Sequence, residues 1–235
     1  MKKILALALT LALTLTAFAA CAESKETLTM ATNASFPPYE YVEGDQVVGI
    51  DPEIAAAVCE KMGYDLEIVD TEFDSLISGV ASGKYDFVMA GMTVTEERKQ
   101  MVSFSNTYAT GVQVIIVKED STIAKPDDLK GKKIGVQLAT TGDQYATDDY
   151  GKDSVVQYNK GSDAVMALTQ GQVDAVIIDN EPAKSYVAAN KGLKILDTEY
   201  VTENYAACIA KDNTGLTKAV NKALAELKAD GTLQK

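Results

Sequence analysis

Of the 22 basic residues in this 235-residue sequence, 21 are lysine and one, Arg98, is arginine. A guanidinium presents a rigid fork that pairs two ways with a carboxylate, which an ammonium cannot imitate. A lone arginine in so lysine-rich a chain therefore points to bidentate anion recognition. Arg98 follows Gly91-Met92-Thr93-Val94-Thr95, where an apolar run ends and hydroxyls can cap a helix N-terminus, the natural seat for an anion. The plainer reading, a solvated helix charge beside Glu96 and Glu97, stays open on spacing alone. Thr140-Thr141-Gly142 repeats the strand-to-helix pattern after "KIGVQ". Asp179, closing the apolar run "VIID", either accepts hydrogen bonds from an ammonium group or caps the helix that opens at Glu181-Pro182. Asn33 ends an early strand, and "SFPPYEY" sets Phe36, Tyr39 and Tyr41 in a proline-stiffened loop, as walls of a pocket or as ordinary core packing. An acceptor for ammonium, a fork for carboxylate and apolar walls together describe a zwitterionic α-amino acid.

Composition closes off other chemistries. The chain has no histidine, which removes Ser-His-Asp and Cys-His catalysis and histidine metal sites. Any enzyme on this chain must use carboxylates, lysine or tyrosine. The formal charge of -12 repels nucleic acid and anionic lipid, so neither is an expected partner. The three cysteines show no metal-ligand spacing, and neither metal nor cofactor is expected. Cys59 and Cys208 fall in an apolar helix and an apolar strand and read as buried free thiols, with a disulfide as the alternative in an oxidising compartment.

These residues must be positioned by α/β elements. Lys2 and Lys3, the apolar run Ile4 to Leu15 and the small residues before Cys21 form a secretion signal, residues 1–20. Cleavage after Ala20 leaves Cys21 as a lipid-modified N-terminus, and cleavage near Ala19 is the competing outcome; residues 21–26 serve as a tether. Beyond it, short apolar strands alternate with helical segments, which predicts parallel sheets. The pattern restarts at "KKIGVQ", and Gly83-Lys84-Tyr85-Asp86-Phe87-Val88 matches Gly171-Gln172-Val173-Asp174-Ala175-Val176 at an offset that also carries Gly91 onto Asp179. Two similar α/β lobes are expected, with Gly91 and Asp179 at the carboxyl ends of buried strands, where open α/β sheets bind ligands.

The motifs "NASFPPYEY", "VGIDPEIAAAV", "AGMTVTEER", "FSNTYATGVQVII", "IGVQLATTGD", "GQVDAVIIDNEPA" and "VNKALAELKADGT" extend this pattern over nearly the whole mature chain. Residues 28–231 resemble the extracytoplasmic solute-binding proteins of polar amino acid ABC transporters, bacterial solute-binding family 3, with the periplasmic binding protein type II fold. The resemblance implies two lobes, 24–110 with 204–235 and 111–203, joined by hinges at 107–113 and 199–206. It implies that Arg98 clamps the ligand carboxylate with Thr93 and the backbone at Thr141, and that Asp179 holds the ammonium with the Gly91 backbone and the Thr93 hydroxyl. Asn33, Phe36, Ile50 and Gln137 would line the side-chain pocket, with Met92 and Thr140 in the adjoining turns. Two departures stand out: Asn33 replaces an aspartate common in relatives, and Ala139 replaces the first glycine of "GTTG".

The expected function is a monomeric receptor, anchored outside the cytoplasm, that closes on a polar L-amino acid and delivers it to an ABC permease. Glutamine suits the amides of Asn33 and Gln137, and arginine or lysine suits a cation–π contact with Phe36. The alternative is a dehydratase-like enzyme on the same scaffold acting on arogenate or prephenate, with Glu181 as its candidate general acid.

Overall fold

The computed structural model of the chain describes residues 25–198 and 200–234. The signal segment, Cys21 and the start of the tether lie outside the described residues.

Two sheets carry the architecture. The first runs in the order β5 (Asp65–Asp70), β1 (Thr27–Thr32), β6 (Phe87–Val88), β14 (Cys208–Ala210) and β7 (Val102–Phe104). The second runs β10 (Val155–Tyr158), β9 (Ile134–Gln137), β11 (Ala175–Asp179), β8 (Ala109–Lys118) and β12 (Leu193–Ile195), with β13 (Val201–Tyr205) also paired to β8. Each sheet has three parallel strands, as the alternation predicts, but antiparallel strands complete both. The cause is the connection between them. The chain leaves the first sheet after β7, enters the second along β8, and returns along β13. These two strands carry the chain in opposite directions, and they pair from Ala109 opposite Tyr205 to Gln113 opposite Val201.

Helices cover the sheet faces. α1 (Ile50–Met62) and α7 (Thr214–Ala229) pack Val58, Val220 and Leu224 against Met30 and Phe87. On the other face, α2 (Phe73–Ala81) contributes Leu76 and Val80 against Val88 and Met92, ahead of the short α3 (Arg98–Met101). In the second lobe, α4 (Thr141–Tyr150), α5 (Gly161–Thr169) and α6 (Asn180–Ala189) do the same work. Successive residues Ile115 and Ile116 of β8 enter opposite core clusters, as a strand buried on both faces requires. Each such side chain contributes about 1.5–3 kcal/mol on burial. Cys59 and Cys208 are free and sit in the clusters on opposite faces of the first sheet. Burial pushes the Cys59 thiol up to about 11 and the Cys208 thiol up to about 12, so both are unreactive packing residues.

The internal repeat is physical. Gly83 and Gly171 both take φ 75, ending α2 and α5 in the left-handed conformation that glycine adopts without steric cost. Three residues on, the Asp86 carboxylate accepts the Thr29 N–H and the Asp174 carboxylate accepts the Lys133 N–H, each at 2.8 Å. The motif thus stops a helix and ties the next strand to its neighbour, once in each lobe. Two segments depart from expectation. Residues 35–48 form a small sheet of β2 (Ser35–Phe36), β3 (Glu40–Glu43) and β4 (Gln46–Val48) instead of a loop. The run 85–91 pairs regularly only at Phe87 and Val88, and beyond it the Gly91 N–H donates to Asp51 Oδ2 at 2.8 Å.

Candidate functional site

Four parallel strands deliver residues to one cavity: Asn33 follows β1, Ala90 and Gly91 follow β6, Gln137 ends β9 and Asp179 ends β11. Phe36, Glu40, Phe73, Thr93, Arg98, Thr140 and Thr141 complete its lining, around a space of about 330 Å³. The cavity is narrow, with the cleft closed around it and polar and aromatic side chains converging on it.

Arg98 opens α3, but that helix has only four residues, so the expected helix-terminus anion seat is replaced by the side chain itself. Its Nη1 donates to Thr93 O at 2.9 Å, and its Nη2 donates to Ala139 O of the other lobe at 3.0 Å. The Phe73 ring lies 5.7 Å from the guanidinium carbon, a cation–π contact. Of the five guanidinium donors, two are used this way, which leaves three without a protein partner among the described residues, on a side chain that lines the cavity. Burial lowers the Arg98 pKa, and the nearby Glu203 and Asp179 work against that.

Asp179 makes no side-chain capping bond to α6 among the described residues, which removes the helix-cap reading. Tyr205 Oη–H donates to Asp179 Oδ1, and Gln113 Nε2 donates to Oδ2 at 2.8 Å. The same Gln113 nitrogen donates to Glu203 Oε2 at 2.9 Å, and Glu203 also accepts from Thr93 Oγ1 and Tyr145 Oη. Two buried carboxylates are thus held side by side. Burial raises the Asp179 pKa to about 7, and the Glu203 charge adds to the rise against the bonds from Tyr205 and Gln113.

Across the cleft, Gln137 Nε2 donates to Asn33 Oδ1 at 2.9 Å, while Asn33 Nδ2 donates to Thr71 O at 2.7 Å. Phe36 covers Gly91 so closely that a Cβ there would lie 2.8 Å from its ring. Thr140 caps α4, accepting the Asp143 N–H on its hydroxyl. Ala139, just before it, holds φ 63, which costs a non-glycine residue about 1–2 kcal/mol. Ala139→Gly is therefore expected to raise Tm, by about 2–4 °C for each kcal/mol recovered. Differential scanning calorimetry checks it, and an unchanged or lower Tm refutes the strain.

Two expected lining residues stand elsewhere. Ile50 begins α1 with 39% of its surface exposed, its N–H donating to Pro38 O, and is absent from the cavity lining. The Met92 side chain is fully buried in the core with Leu76 and Val80 and is absent from the cavity lining. Glu40, Phe73, Gln113 and Glu203 were not singled out by sequence. Gln113 alone left a trace, as an amide interrupting the apolar run "GVQVIIV". Glu203 faces Gly111 across the β8–β13 ladder, where a Cβ would lie 2.8 Å from Asp179 Oδ1.

The family described as bacterial extracellular solute-binding proteins, family 3, matches residues 28–235. The chain belongs to this family. It is 38% identical over 221 residues to the arginine-binding extracellular protein ArtP of Bacillus subtilis strain 168, covering 90% of this chain and 84% of that one. A solved ancestral arginine-binding protein bound to glutamine is 40% identical with a TM-score of 0.85, covering 89% and 95% of the two chains. The arginine-, lysine-, histidine-binding protein ArtJ of Geobacillus stearothermophilus also has a TM-score of 0.85, at 35% identity, covering 88% and 92%. The architecture of this solute-binding protein is accordingly periplasmic binding protein type II, two α/β lobes joined by paired strands with the cleft between them.

Proposed function

We propose that this solute-binding protein captures a polar L-amino acid between lobes 24–110 with 204–235 and 111–203, and presents it to an ABC permease. The observation that carries the reading is the single arginine and the buried Asp179 lining one cavity in the cleft between the lobes. Arg98 takes the ligand carboxylate, with Thr93 and the first turn of α4 at Thr141 beside it, and Asp179 takes the ammonium with Gly91. Asn33, Phe36 and Gln137 face the side chain. Glutamine, arginine and lysine are the proposed ligands. Relatives named for arginine, and one solved with glutamine, support that range. The protein works as a monomer outside the cytoplasm, held to the membrane through lipidated Cys21 after loss of residues 1–20. It binds without turnover. Glu181, the candidate acid of the dehydratase alternative, instead accepts from Lys184 Nζ at 2.7 Å and is absent from the cavity lining.

The test is a melting screen of mature protein, stripped of ligand by unfolding and refolding, against the common amino acids and arogenate. A micromolar ligand at a thousandfold excess stabilises by about 4 kcal/mol, or roughly 10 °C at this size. That shift is expected for glutamine, arginine or lysine. No shift with any amino acid sinks the reading.

A further inference from the structure

Glu203 is absent from the cavity lining, yet it is 4% exposed and three side chains converge on it. Thr93 Oγ1–H donates to its Oε2 at 3.2 Å, Gln113 Nε2 donates to the same oxygen at 2.9 Å, and Tyr145 Oη–H donates to Oε1 at 3.0 Å. Thr93 does line the cavity. It stands opposite Tyr205, fixed by backbone bonds on either side: Val94 N–H to Asn204 O at 2.9 Å and Ala206 N–H to Met92 O at 3.1 Å. The main chain itself therefore keeps Thr93 beside Glu203. A carboxylate only accepts hydrogen bonds, and a threonine hydroxyl has one proton to give. With that proton directed at Glu203, Thr93 Oγ1 offers the cavity lone pairs alone, so the hydroxyl can serve the ammonium end of a ligand and not the carboxylate end. Gln113 carries the same order to Asp179. Its amide nitrogen donates to both carboxylates, and the reverse placement of the amide would set its oxygen against both. The second Asp179 oxygen is held by Tyr205 Oη–H. The two ammonium acceptors, Thr93 Oγ1 and Asp179, are thus braced to each other through Glu203 and Gln113, on the strands β13 and β8 that join the lobes.

We propose that Glu203 is a positioning residue of the ammonium site: it turns the Thr93 hydroxyl proton away from the cavity and, through Gln113, holds Asp179 in place, so that the site prefers ligands carrying an α-ammonium group. Glu203 acts through these neighbours and does not touch the ligand. This inference rests on the amino-acid reading of the cavity.

The brace is tested first without ligand. In proton NMR of the empty protein, the Thr93 hydroxyl is expected to give a resolved signal, slowed in exchange with water, that is lost in Glu203→Leu. A Thr93 hydroxyl exchanging as fast as those of exposed threonines overturns the bond. Calorimetric titration then compares L-arginine, L-lysine and L-glutamine with the analogues that lack only the α-amino group: δ-guanidinovalerate, ε-aminocaproate and glutaramate. Wild type is expected to prefer each amino acid it binds over its analogue, and that preference is expected to fall about tenfold or more in Glu203→Leu. Glu203→Gln is expected to recover most of it, because the amide oxygen can accept from Thr93 and Gln113 while the nitrogen donates to Tyr145 Oη. The losses in Glu203→Leu and Thr93→Val are expected to overlap in the double variant, as they must if one residue acts through the other. No preference in wild type, an unchanged preference in Glu203→Leu, fully additive losses, or a Glu203→Gln variant as weak as Glu203→Leu overturns the positioning role. Should Glu203→Leu fail to fold, the wild-type hydroxyl signal and the preference in Glu203→Gln decide. Failure of every amino acid to bind overturns the receptor reading and the ammonium site with it, while the hydroxyl signal still decides the bond between Thr93 and Glu203.

Discussion

Arg98→Lys is expected to lower the affinity for every amino acid ligand by about 100-fold or more, the loss of roughly 3 kcal/mol that follows when one partner of a buried charge pair is removed. Lysine keeps the charge but has neither the planar fork nor the reach to hold Thr93 O, Ala139 O and a ligand carboxylate at once. The unliganded Tm is expected to move by only a few degrees. The lysine stem still covers the Phe73 ring, and the Arg98–Ala139 bond lies at the exposed mouth of the cleft. Calorimetric titration and a melt of the same preparation give both numbers. Near-normal affinity would remove Arg98 as the carboxylate anchor, and a collapse in Tm would make its role structural.

The loss should also show in how the lobes close. Arg98 reaches Ala139, and Gln137 reaches Asn33, so the closed cleft is bonded directly between lobes. A ligand shifts closure only by its differential contacts with the closed state. Arg98 touches both lobes itself, so a carboxylate on its remaining donors adds to a contact already made across the cleft.

The strand ends were legible because apolar runs that stop at a polar residue leave little choice of address. Asp179 ends "AVIID" and Gln137 ends "KIGVQ", and both stand where that pattern puts them. The repeated Gly-x-x-Asp was legible for a similar reason, since a left-handed glycine and a strand-capping aspartate are local devices. Contacts made by register were not. Glu203 and Gln113 meet only because β13 pairs with β8 at one particular offset, and nothing local in "VTENY" announces a strand or its partner. Glu40 was hidden by two prolines that made a loop the natural reading of a short three-stranded sheet. Ile50 was assigned to the pocket by the resemblance alone, and it stands at the start of a helix, where an apolar residue can face solvent at little cost.

Asp179→Asn is expected to remove the pH dependence that Asp179 gives to amino acid affinity and to weaken that affinity at neutral pH. Asp179 in the empty protein ionises near pH 7 because burial and the Glu203 charge oppose its negative form. A ligand ammonium favours that form, so wild-type affinity should rise by up to about tenfold per pH unit toward pH 7 and level off above it. The variant should stay flat, about 100-fold weaker than wild type at pH 8 and converging with it near pH 5. Stability runs the other way. The folded empty chain keeps a proton on Asp179 that the unfolded chain releases near 3.8, so wild-type Tm falls as pH rises from about 4 to about 7 and no further on this account. Asp51, raised to about 6, adds to the same slope and survives in the variant. The slope, not the absolute Tm, is the readout, because the asparagine amide nitrogen would face the Gln113 nitrogen that now donates to Asp179. Melts of empty protein across that range should show a shallower decline in Asp179→Asn than in wild type. Equal slopes would place the Asp179 charge outside the folding equilibrium, and affinity insensitive to pH in wild type would take the ammonium away from Asp179.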